Sequence, residues 1–205
     1  MTLDDYIELH IDAEPEHLKA LYRRTHLRRL YPRMCTDHVQ GRVLAMLTKM
    51  ISPKCVLELG TFSGYSTLCF AEGLKAGGKI DTVEIDDEYA DELRELFADY
   101  PITLHIGDAE ELLPHLLAEN SYDMVFIDAN KRRYVEYYQL IIPKLKSGAY
   151  ILADNTLWDG KILDDDSQDA QTEGIRAFNK LIAHDDSVEK VILPIRDGLT
   201  LIRKK

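Results

Sequence analysis

The stretch that decides the fold is Val56-Leu57-Glu58-Leu59-Gly60-Thr61-Phe62-Ser63-Gly64-Tyr65-Ser66. It consists of a short apolar run with an acidic residue near its end, two glycines four positions apart, and Ser66 at the start of a helical pattern. This order is typical of a parallel β-strand that turns into a helix beside a ligand. Gly60 allows the tight turn, because a residue without Cβ adopts positive φ readily and lets other atoms approach closely. The stretch therefore predicts a cofactor pocket.

The length and composition predict one globular domain. The chain has 205 residues, 45% of them apolar, which is enough for one complete core. We expect a single domain over residues 1–205, made of an N-terminal helical segment (1–50) and an α/β core (55–205). A net charge of −11 and a pI near 5.1 disfavour binding to nucleic acid or to anionic membranes, since both require a basic surface.

The sequence also predicts the compartment. No apolar run approaches the roughly 20 residues of a membrane span, and the first five residues lack the basic and then apolar order of a signal peptide. We therefore expect a cytoplasmic protein.

The cysteines are odd in number and widely spaced, so they predict neither a disulfide framework nor a zinc site. We interpret Cys35, Cys55 and Cys69 as small core residues.

Residues 14–29 show the periodicity of an amphipathic helix with a basic face. Leu18 and Leu21 lie on its apolar side, and most of the lysines and arginines fall elsewhere. The basic face is either a solvated surface or a contact for an anionic substrate or a partner chain. Asp37 is the expected N-cap of a further helix, which ends before Pro53.

From Cys55 onward, strands and helices alternate, which indicates a parallel sheet covered on both faces. An Asp197-Gly198 pair between the last two apolar runs, 188–194 and 199–203, predicts a hairpin. The expected fold is a Rossmann-like, doubly wound sheet of seven strands, mostly parallel, with the last strand antiparallel. The other strands are expected near 55–59, 80–85, 102–106, 123–127 and 148–153, and the helices near 64–75, 87–98, 109–118 and 131–145, with a polar loop over 159–172.

In such a sheet, ligands lie beyond the carboxyl ends of the strands. Glu58 closes the first strand, and Glu84 closes the second, at a spacing from Gly64 that suits a carboxylate bound to the ribose of an adenosine cofactor. The alternative is that Glu84 is a solvated strand end and Asp86 caps the next helix. At the end of the third strand, Asp108 is either a contact for the adenine edge or only a helix N-cap.

The fourth and fifth strands end in Asp128 and in Asp154-Asn155. Neighbouring strands lie about 4.8 Å apart, so these three side chains can converge on one point. Oxygen ligands without His or Cys suit a hard cation, magnesium first, with calcium or manganese as alternatives. The competing interpretation is that Asp154 and Asn155 begin a turn that caps the segment after them. We favour the metal, because buried charges must be paired or bind a cation.

Lys131 stands three residues after Asp128, at the expected start of a helix, so both side chains can face one cleft. Near a cation its ammonium form is disfavoured, which makes Lys131 a candidate proton acceptor. The alternative is an ordinary exposed lysine. Trp158, Tyr134 and Tyr137 are candidates for aromatic walls around a flat acceptor, or for ordinary packing.

These motifs together resemble the cation-dependent, S-adenosylmethionine-dependent O-methyltransferases related to caffeoyl-CoA and catechol O-methyltransferases. The resemblance runs from about Met34 to the C-terminus. It rests on the Glu58 to Ser66 stretch, on Ile127-Asp128-Ala129-Asn130-Lys131 with Tyr134, on Asp154-Asn155-Thr156-Leu157-Trp158-Asp159-Gly160, and on Asp197-Gly198-Leu199-Thr200.

The resemblance implies transfer of a methyl group from S-adenosylmethionine to a hydroxyl of a small catechol-like acceptor, by a homodimer. It assigns a divalent cation to Asp128, Asp154 and Asn155, and catalysis to Lys131 with Asp128. The implied substrate contacts are Trp158 and Asp159. The implied cofactor site consists of Thr36, Glu58, Gly60, Gly64, Ser66, Glu84, Asp108, Ala109 and Asp128.

Two positions depart from the plant enzymes of this family. Asn130 replaces an Asp, and Asp159 replaces an Asn that contacts substrate there.

Two other functions compete with the methyltransferase. A nicotinamide-dependent dehydrogenase is disfavoured, because the glycine turn is Gly-x-x-x-Gly and the acidic cluster would have no use. A non-catalytic binder of an adenosyl ligand is disfavoured by the intact set of candidate cation ligands and by Lys131.

Overall fold

A computed structural model describes the backbone of residues 1–205 and every side chain except that of Asp4. It contains one seven-stranded sheet with the order β3-β2-β1-β4-β5-β7-β6. All neighbours pair in parallel except β7, which is antiparallel to both β5 and β6. The expected fold class is therefore confirmed. The strands are β1 Cys55–Leu59, β2 Lys79–Glu84, β3 Ile102–Ile106, β4 Met124–Ile127, β5 Tyr150–Ala153, β6 Val188–Leu193 and β7 Leu199–Lys204.

Eight α-helices cover the sheet, and no helix among the described residues is long and apolar enough to span a membrane. They are α1 Leu3–His10, α2 Glu16–Arg28, α3 His38–Ile51, α4 Tyr65–Ala71, α5 Ala90–Phe97, α6 Ala109–Glu119, α7 Tyr134–Ile141 and α8 Ala170–Ala183. Short 3-10 turns occupy Pro32–Met34, Lys131–Arg133, Ile142–Lys144 and Trp158–Leu163.

The alternation of side chains along the central strands divides the core into two layers. On β4, Val125 and Ile127 face a cluster with α6, α7 and α8, while Met124 and Phe126 face a cluster with α2, α3, α4 and α5. All four side chains are buried, as expected for a strand covered on both faces. The three cysteines are free and buried in this core, as the sequence predicted.

The order of the strands reverses between β1 and β4, which is where ligands bind in doubly wound sheets. The backbone N–H of Asp128 donates to the carbonyl of Leu59 at 2.8 Å, and the N–H of Asp154 donates to the carbonyl of Ile127 at 3.0 Å. These bonds extend the register of β1, β4 and β5 by one residue. The tips of the three strands therefore end side by side.

The N-terminal segment agrees with its sequence pattern. Helix α2 buries Leu18 and Leu21, and Asp37 caps α3 by accepting a hydrogen bond from the backbone N–H of Gln40 at 2.9 Å. Helix α3 ends at Ile51, before Pro53. These predictions are confirmed.

Several of the predicted boundaries of helices and turns were wrong. Helix α5 begins at Ala90, so Asp86 is not its N-cap; the Asp86 carboxylate instead accepts from the N–H of Glu88 in a turn before the helix. The expected single helix over 131–145 is an α-helix between two 3-10 turns. The predicted Asp-Gly hairpin turn is a longer loop, residues 194–198, in which Arg196 has a φ of 47°.

Helix α8 was missed, because its first turn lies in the stretch that we expected to be a polar loop. Two local signals could have identified it. Asp169 caps the helix through the N–H groups of Gln171 and Thr172, and Ile175, Phe178 and Ile182 recur on its buried face. The helix matters for the site because it packs against the 3-10 turn that carries Lys131.

We predict that Gly174→Ala destabilises the protein by about 1–3 kcal/mol. A Cβ at Gly174 would lie 2.8 Å from Cα of Arg132 and closer still to the carbonyl of Lys131, so helix α8 would have to shift. At an exposed helical position the same change would stabilise by about 1 kcal/mol, so the sign of the effect is diagnostic. Urea unfolding of the two proteins measures it, and a gain in stability would contradict this close packing.

Candidate active site

The two candidate acidic ligands lie at the tips of adjacent strands. Asp128 follows β4 and Asp154 follows β5, and the hydroxyl of Tyr134 lies 3.1 Å from the carbonyl of Ile127 and 3.0 Å from that of Asp154. Tyr134 is completely buried. The phenol shares its one hydroxyl proton between these two carbonyls and so links the backbones of both strand tips from the protein interior.

Asp154 is buried, with 3% of its surface exposed. Its Oδ1 accepts from the N–H of Asn155 at 2.8 Å, and its Oδ2 accepts from Nε2 of Gln40 at 2.7 Å. Burial raises the pKa of the carboxyl, and the nearby charge of Asp128 raises it further. Two carboxylates so placed attract either protons or a cation. Asn155, in a left-handed conformation with φ 58°, supplies the next side chain.

Lys131 contacts Asp128 directly. Its Nζ lies 2.6 Å from Oδ1 of Asp128 and 3.3 Å from the carbonyl of the same residue. Both side chains are mostly shielded from water, with 13% and 19% of their surface exposed. The side chain of Asn130 accepts from the N–H of Arg132, so it caps the 3-10 turn locally. The two side chains therefore face each other, as their spacing of three residues predicted.

Among the described residues, no group of three or more His, Cys, Asp or Glu side chains could hold a metal ion. The candidate set therefore consists of two carboxylates, those of Asp128 and Asp154, and the amide of Asn155. Such a set leaves coordination positions for water or substrate oxygens, as is usual for magnesium.

The glycine turn after β1 brings the backbone close to the tip of β4. Gly60 has a φ of 100°, and a Cβ there would lie 2.6 Å from the carbonyl oxygen of Asp128. Gly64 has a φ of 81°, and a Cβ there would lie 2.8 Å from the ring of Phe97. Larger residues are strained and crowded at both positions. The turn borders a small cavity, lined by Met34, Cys35, Thr36, Gly60, Thr61, Phe62, Ser63, Tyr65, Ser66 and Asp128.

Glu58 lies beneath this turn and is completely buried. Its carboxylate accepts hydrogen bonds from three hydroxyl groups, those of Ser66 at 2.5 Å, Thr67 at 2.5 Å and Thr82 at 2.6 Å. Burial raises the pKa of Glu58 to about 7, and the three hydroxyl donors oppose a larger rise. Glu58 therefore fastens the start of α4 to the sheet. It supports the cavity from below.

Glu84 and Asp108 lie at the ends of β2 and β3. Oε2 of Glu84 accepts from the N–H of Phe62 at 2.7 Å, and Oε1 accepts from the N–H of Asp86 at 3.0 Å. Glu84 thus contacts the glycine turn directly. Asp108 caps α6 through the N–H of Glu110, and Ala109 is buried in the first turn of that helix. The N-cap interpretation of Asp108 is confirmed.

The segment after Asn155 turns sharply. Trp158 and Asp159 both have positive φ, 46° and 52°, and the indole Nε1 of Trp158 is buried without a hydrogen-bond partner among the described residues. Asp159 is exposed. Tyr134 and Tyr137 lie inside the core rather than at its surface, which favours ordinary packing, the second of the two alternatives for them, over a wall around an acceptor.

Sequence reasoning missed four residues that support the site. Gln40 contacts Asp154, Arg196 contacts Gln40, and Thr67 and Thr82 contact Glu58. Thr67 could have been found from its place on the same helical turn as Ser66. The other three come from distant segments, and only the fold brings them together.

Residues 8–205 match the family described as O-methyltransferase. The chain belongs to this family. A catechol O-methyltransferase of Niastella koreensis is 34% identical to this O-methyltransferase over an alignment of 181 positions that covers 83% of this chain and 82% of that protein. A caffeoyl-CoA O-methyltransferase of Stellaria longipes is 33% identical over an alignment of 204 positions that covers 93% of this chain and 84% of that one.

Solved structures agree with the sequence relatives. The crystal structure of an O-methyltransferase from Bacillus cereus in complex with SAH superimposes with a TM-score of 0.91 at 27% identity, covering 99% of this chain and 97% of that one. The expected family, the S-adenosylmethionine-dependent O-methyltransferases, is therefore confirmed, and with it the expectation of an enzyme. This result favours the methyltransferase over the dehydrogenase and the non-catalytic binder.

We predict that Glu58→Gln removes part of the pH dependence of the O-methyltransferase's stability. Because the pKa of Glu58 rises from 4.5 to about 7 on folding, the unfolded chain loses this proton first as the pH rises. The wild type should therefore lose about 3 kcal/mol between those pH values relative to the variant. Urea unfolding at several pH values measures the difference, and parallel pH profiles would contradict it.

Proposed function

We propose that this O-methyltransferase moves the methyl group of S-adenosylmethionine to a hydroxyl of a catechol-like acceptor, with a divalent cation held by Asp128, Asp154 and Asn155. One observation carries the proposal. Two acidic side chains, one of them buried, stand at adjacent strand tips beside a glycine-lined cavity. No other described part of the chain combines these features.

The candidate ligands fit a divalent cation. Asp154 is buried, and its two hydrogen-bond donors, Gln40 and Asn155, are neutral, so its charge is not cancelled by them. Lys131 pairs with Asp128 alone in the described contacts. Oxygen donors with unbalanced negative charge suit magnesium, with calcium or manganese as alternatives. When bound, the cation would supply positive charge that favours ionisation of an acceptor hydroxyl.

The residues around the glycine turn suit an adenosyl cofactor by their chemistry. Glu84 is the candidate for the ribose hydroxyls, since its carboxylate already lies beside the turn. Thr36 and Ser66 line the cavity with Gly60, and Ala109 and Asp108 stand at the next strand end. The relative from Bacillus cereus is described with SAH, the demethylated form of the proposed donor.

The roles of the remaining residues follow from charge. S-adenosylmethionine supplies a methyl group from a positively charged sulfur, so the sulfur–carbon bond breaks as the oxygen–carbon bond forms, and the acceptor oxygen must lose its proton. Lys131 lies beside Asp128, and in its neutral amine form it is the candidate group that takes up this proton at Nζ. Asp128 would both orient Lys131 and border the cofactor cavity. Trp158 and Asp159 are the candidate contacts for the acceptor.

The acceptor class comes from the relatives. They include enzymes named for catechol and for caffeoyl-CoA, both of which offer neighbouring oxygen atoms on an aromatic ring. We propose a small acceptor of this kind, a homodimer as the assembly, and no role for nucleic acid. The exposed apolar side chains of the N-terminal segment support a second copy as partner; they include Leu27, Leu30, Tyr31, Met34 and Met50.

We predict that Asp154→Ala abolishes cation-stimulated methylation while leaving the affinity for the cofactor nearly unchanged. The change removes a candidate cation ligand, and the glycine turn and Glu84 stay intact. Transfer of a labelled methyl group to a catechol, with added Mg²⁺ or with EDTA, measures the effect. Asp186→Ala, at an exposed acidic residue, is the control. Full activity of the wild type in EDTA would refute the proposed dependence on a divalent cation.

We predict that Lys131→Met lowers turnover by about 10²–10⁴-fold, the usual contribution of a positioned proton acceptor. The dissociation constant of the cofactor should change far less. Lys146→Met serves as the matched control, because Lys146 is exposed and precedes the amino end of β5, whereas the candidate site lies at the carboxyl ends of the strands. Equal losses in turnover and cofactor affinity would make Lys131 a binding residue instead.

A further inference from the structure

We propose that Gln40 is a positioning residue for Asp154, and that Arg196 holds Gln40 in the orientation this role requires. The inference rests on the proposed cation-binding role of Asp154. It assigns a function to three segments that are far apart in the sequence: the start of α3, the tip of β5, and the loop 194–198 between β6 and β7.

Gln40 is a buried polar residue in the first turn of α3. Only 1% of its surface is exposed, and its Nε2 donates to Oδ2 of Asp154 at 2.7 Å. A buried amide is costly unless both of its ends are hydrogen-bonded. The contact with Asp154 satisfies one end, and Arg196 satisfies the other.

Arg196 determines which way the amide of Gln40 faces. Its Nη1 lies 2.7 Å from Oε1 of Gln40. A guanidinium group only donates hydrogen bonds, so the oxygen of the amide must face Arg196 and the NH₂ group must face Asp154. A flipped amide would place its oxygen against a carboxylate and its NH₂ against a cation. Arg196 thereby excludes the orientation that would repel Asp154.

Arg196 is itself held by the segment that precedes α3. Its Nε lies 3.2 Å from Oδ2 of Asp37, and its Nη1 donates to the carbonyl of Cys35 at 3.3 Å. The residue has a φ of 47°, a conformation that is unfavourable for any residue with a Cβ. Such a conformation persists where surrounding contacts over-determine it, and it is concentrated at functional sites.

The same loop also holds the chain after Asp154. The N–H of Thr156 donates to the carbonyl of Gly198 at 3.0 Å, and the N–H of Leu157 donates to that of Asp197 at 2.7 Å. Loop 194–198 therefore binds the backbone after the strand tip directly and binds the Asp154 side chain through Gln40. Both links restrict where the carboxylate lies.

The chemistry of Gln40 suits this role better than that of a basic residue would. A Lys or Arg in contact with Asp154 would neutralise the carboxylate and compete with a cation for it. A neutral amide orients one oxygen and leaves the negative charge in place. The positive charge of Arg196 is kept one side chain away, where Asp37 pairs with it.

Binding of Mn²⁺ to the full-length protein tests the proposal, measured from the electron paramagnetic resonance signal of free Mn²⁺. Gln40→Met removes both hydrogen bonds at similar volume, and we expect about 10- to 100-fold weaker binding, the usual effect of losing a residue that orients a metal ligand. Arg196→Met should weaken binding in the same direction. The double variant should be no weaker than Gln40→Met, because Arg196 acts through Gln40.

Two further variants separate positioning from folding. Arg196→Lys keeps a donor toward Gln40 and should bind Mn²⁺ more tightly than Arg196→Met. Arg203→Met removes the exposed ion pair with Glu189 on the same pair of strands and should bind like the wild type. If Gln40→Met does not fold, Gln40→Asn should show the same loss of Mn²⁺ binding, because its side chain is one methylene shorter and its amide no longer reaches Asp154. Thermal unfolding and SAH binding report whether each variant is folded.

The outcomes distinguish this inference from the proposed function. If Asp154→Ala loses Mn²⁺ binding and Gln40→Met or Gln40→Asn does not, Gln40 is a structural residue and the inference fails alone. If the wild type binds no Mn²⁺, or Asp154→Ala binds it as well as the wild type, the proposed cation site fails and the inference with it. Additive losses for Gln40→Met and Arg196→Met would overturn the relay between them.

Discussion

The structure depends on the parallel register that ends β1, β4 and β5 at one level. Backbone hydrogen bonds from Asp128 to Leu59 and from Asp154 to Ile127 continue that register past the strands, so two carboxylates emerge side by side. Their proximity is a consequence of the sheet, and no flexible loop has to bring them together. A site built on strand ends is therefore already organised before any ligand binds, which lowers the entropy cost of binding.

Around this pair, the protein supports the site mainly from elements that contribute no proposed ligand. Tyr134 joins the two strand tips from inside the core, and Glu58 fastens α4 to the sheet through three hydroxyl groups. Helix α8 packs against the turn of Lys131 so closely that only glycine fits at position 174. The geometry of the site thus depends on the packed core, so substitutions in the core are expected to alter the activity.

Much of this could be predicted from local patterns, and the misses have physical reasons. The strands and the Glu58 to Ser66 turn were predictable because period, composition and glycine spacing are local signals. Helix α8 was missed because acidic and polar residues before it resemble a loop, and α5 begins late because an Asx turn at Asp86 precedes it. The contacts of Gln40 with Asp154 and Arg196 join residues 114 and 156 positions apart, and no local pattern encodes such a pair.

The arrangement around Asp154 shows how stability and function oppose each other in this fold. Burying a carboxylate beside a second one costs free energy, and the raised pKa of Asp154 reflects that cost. An arginine in place of Gln40 would reduce it, yet would also neutralise the group on which the proposed chemistry depends. Neutral donors at both oxygens fix the position of the carboxylate and preserve its charge. The free-energy cost of burying Asp154 is then offset by the packing of the surrounding core. A ligand that binds only the folded state offsets it further, because such binding stabilises that state by RT ln(1 + [L]/Kd).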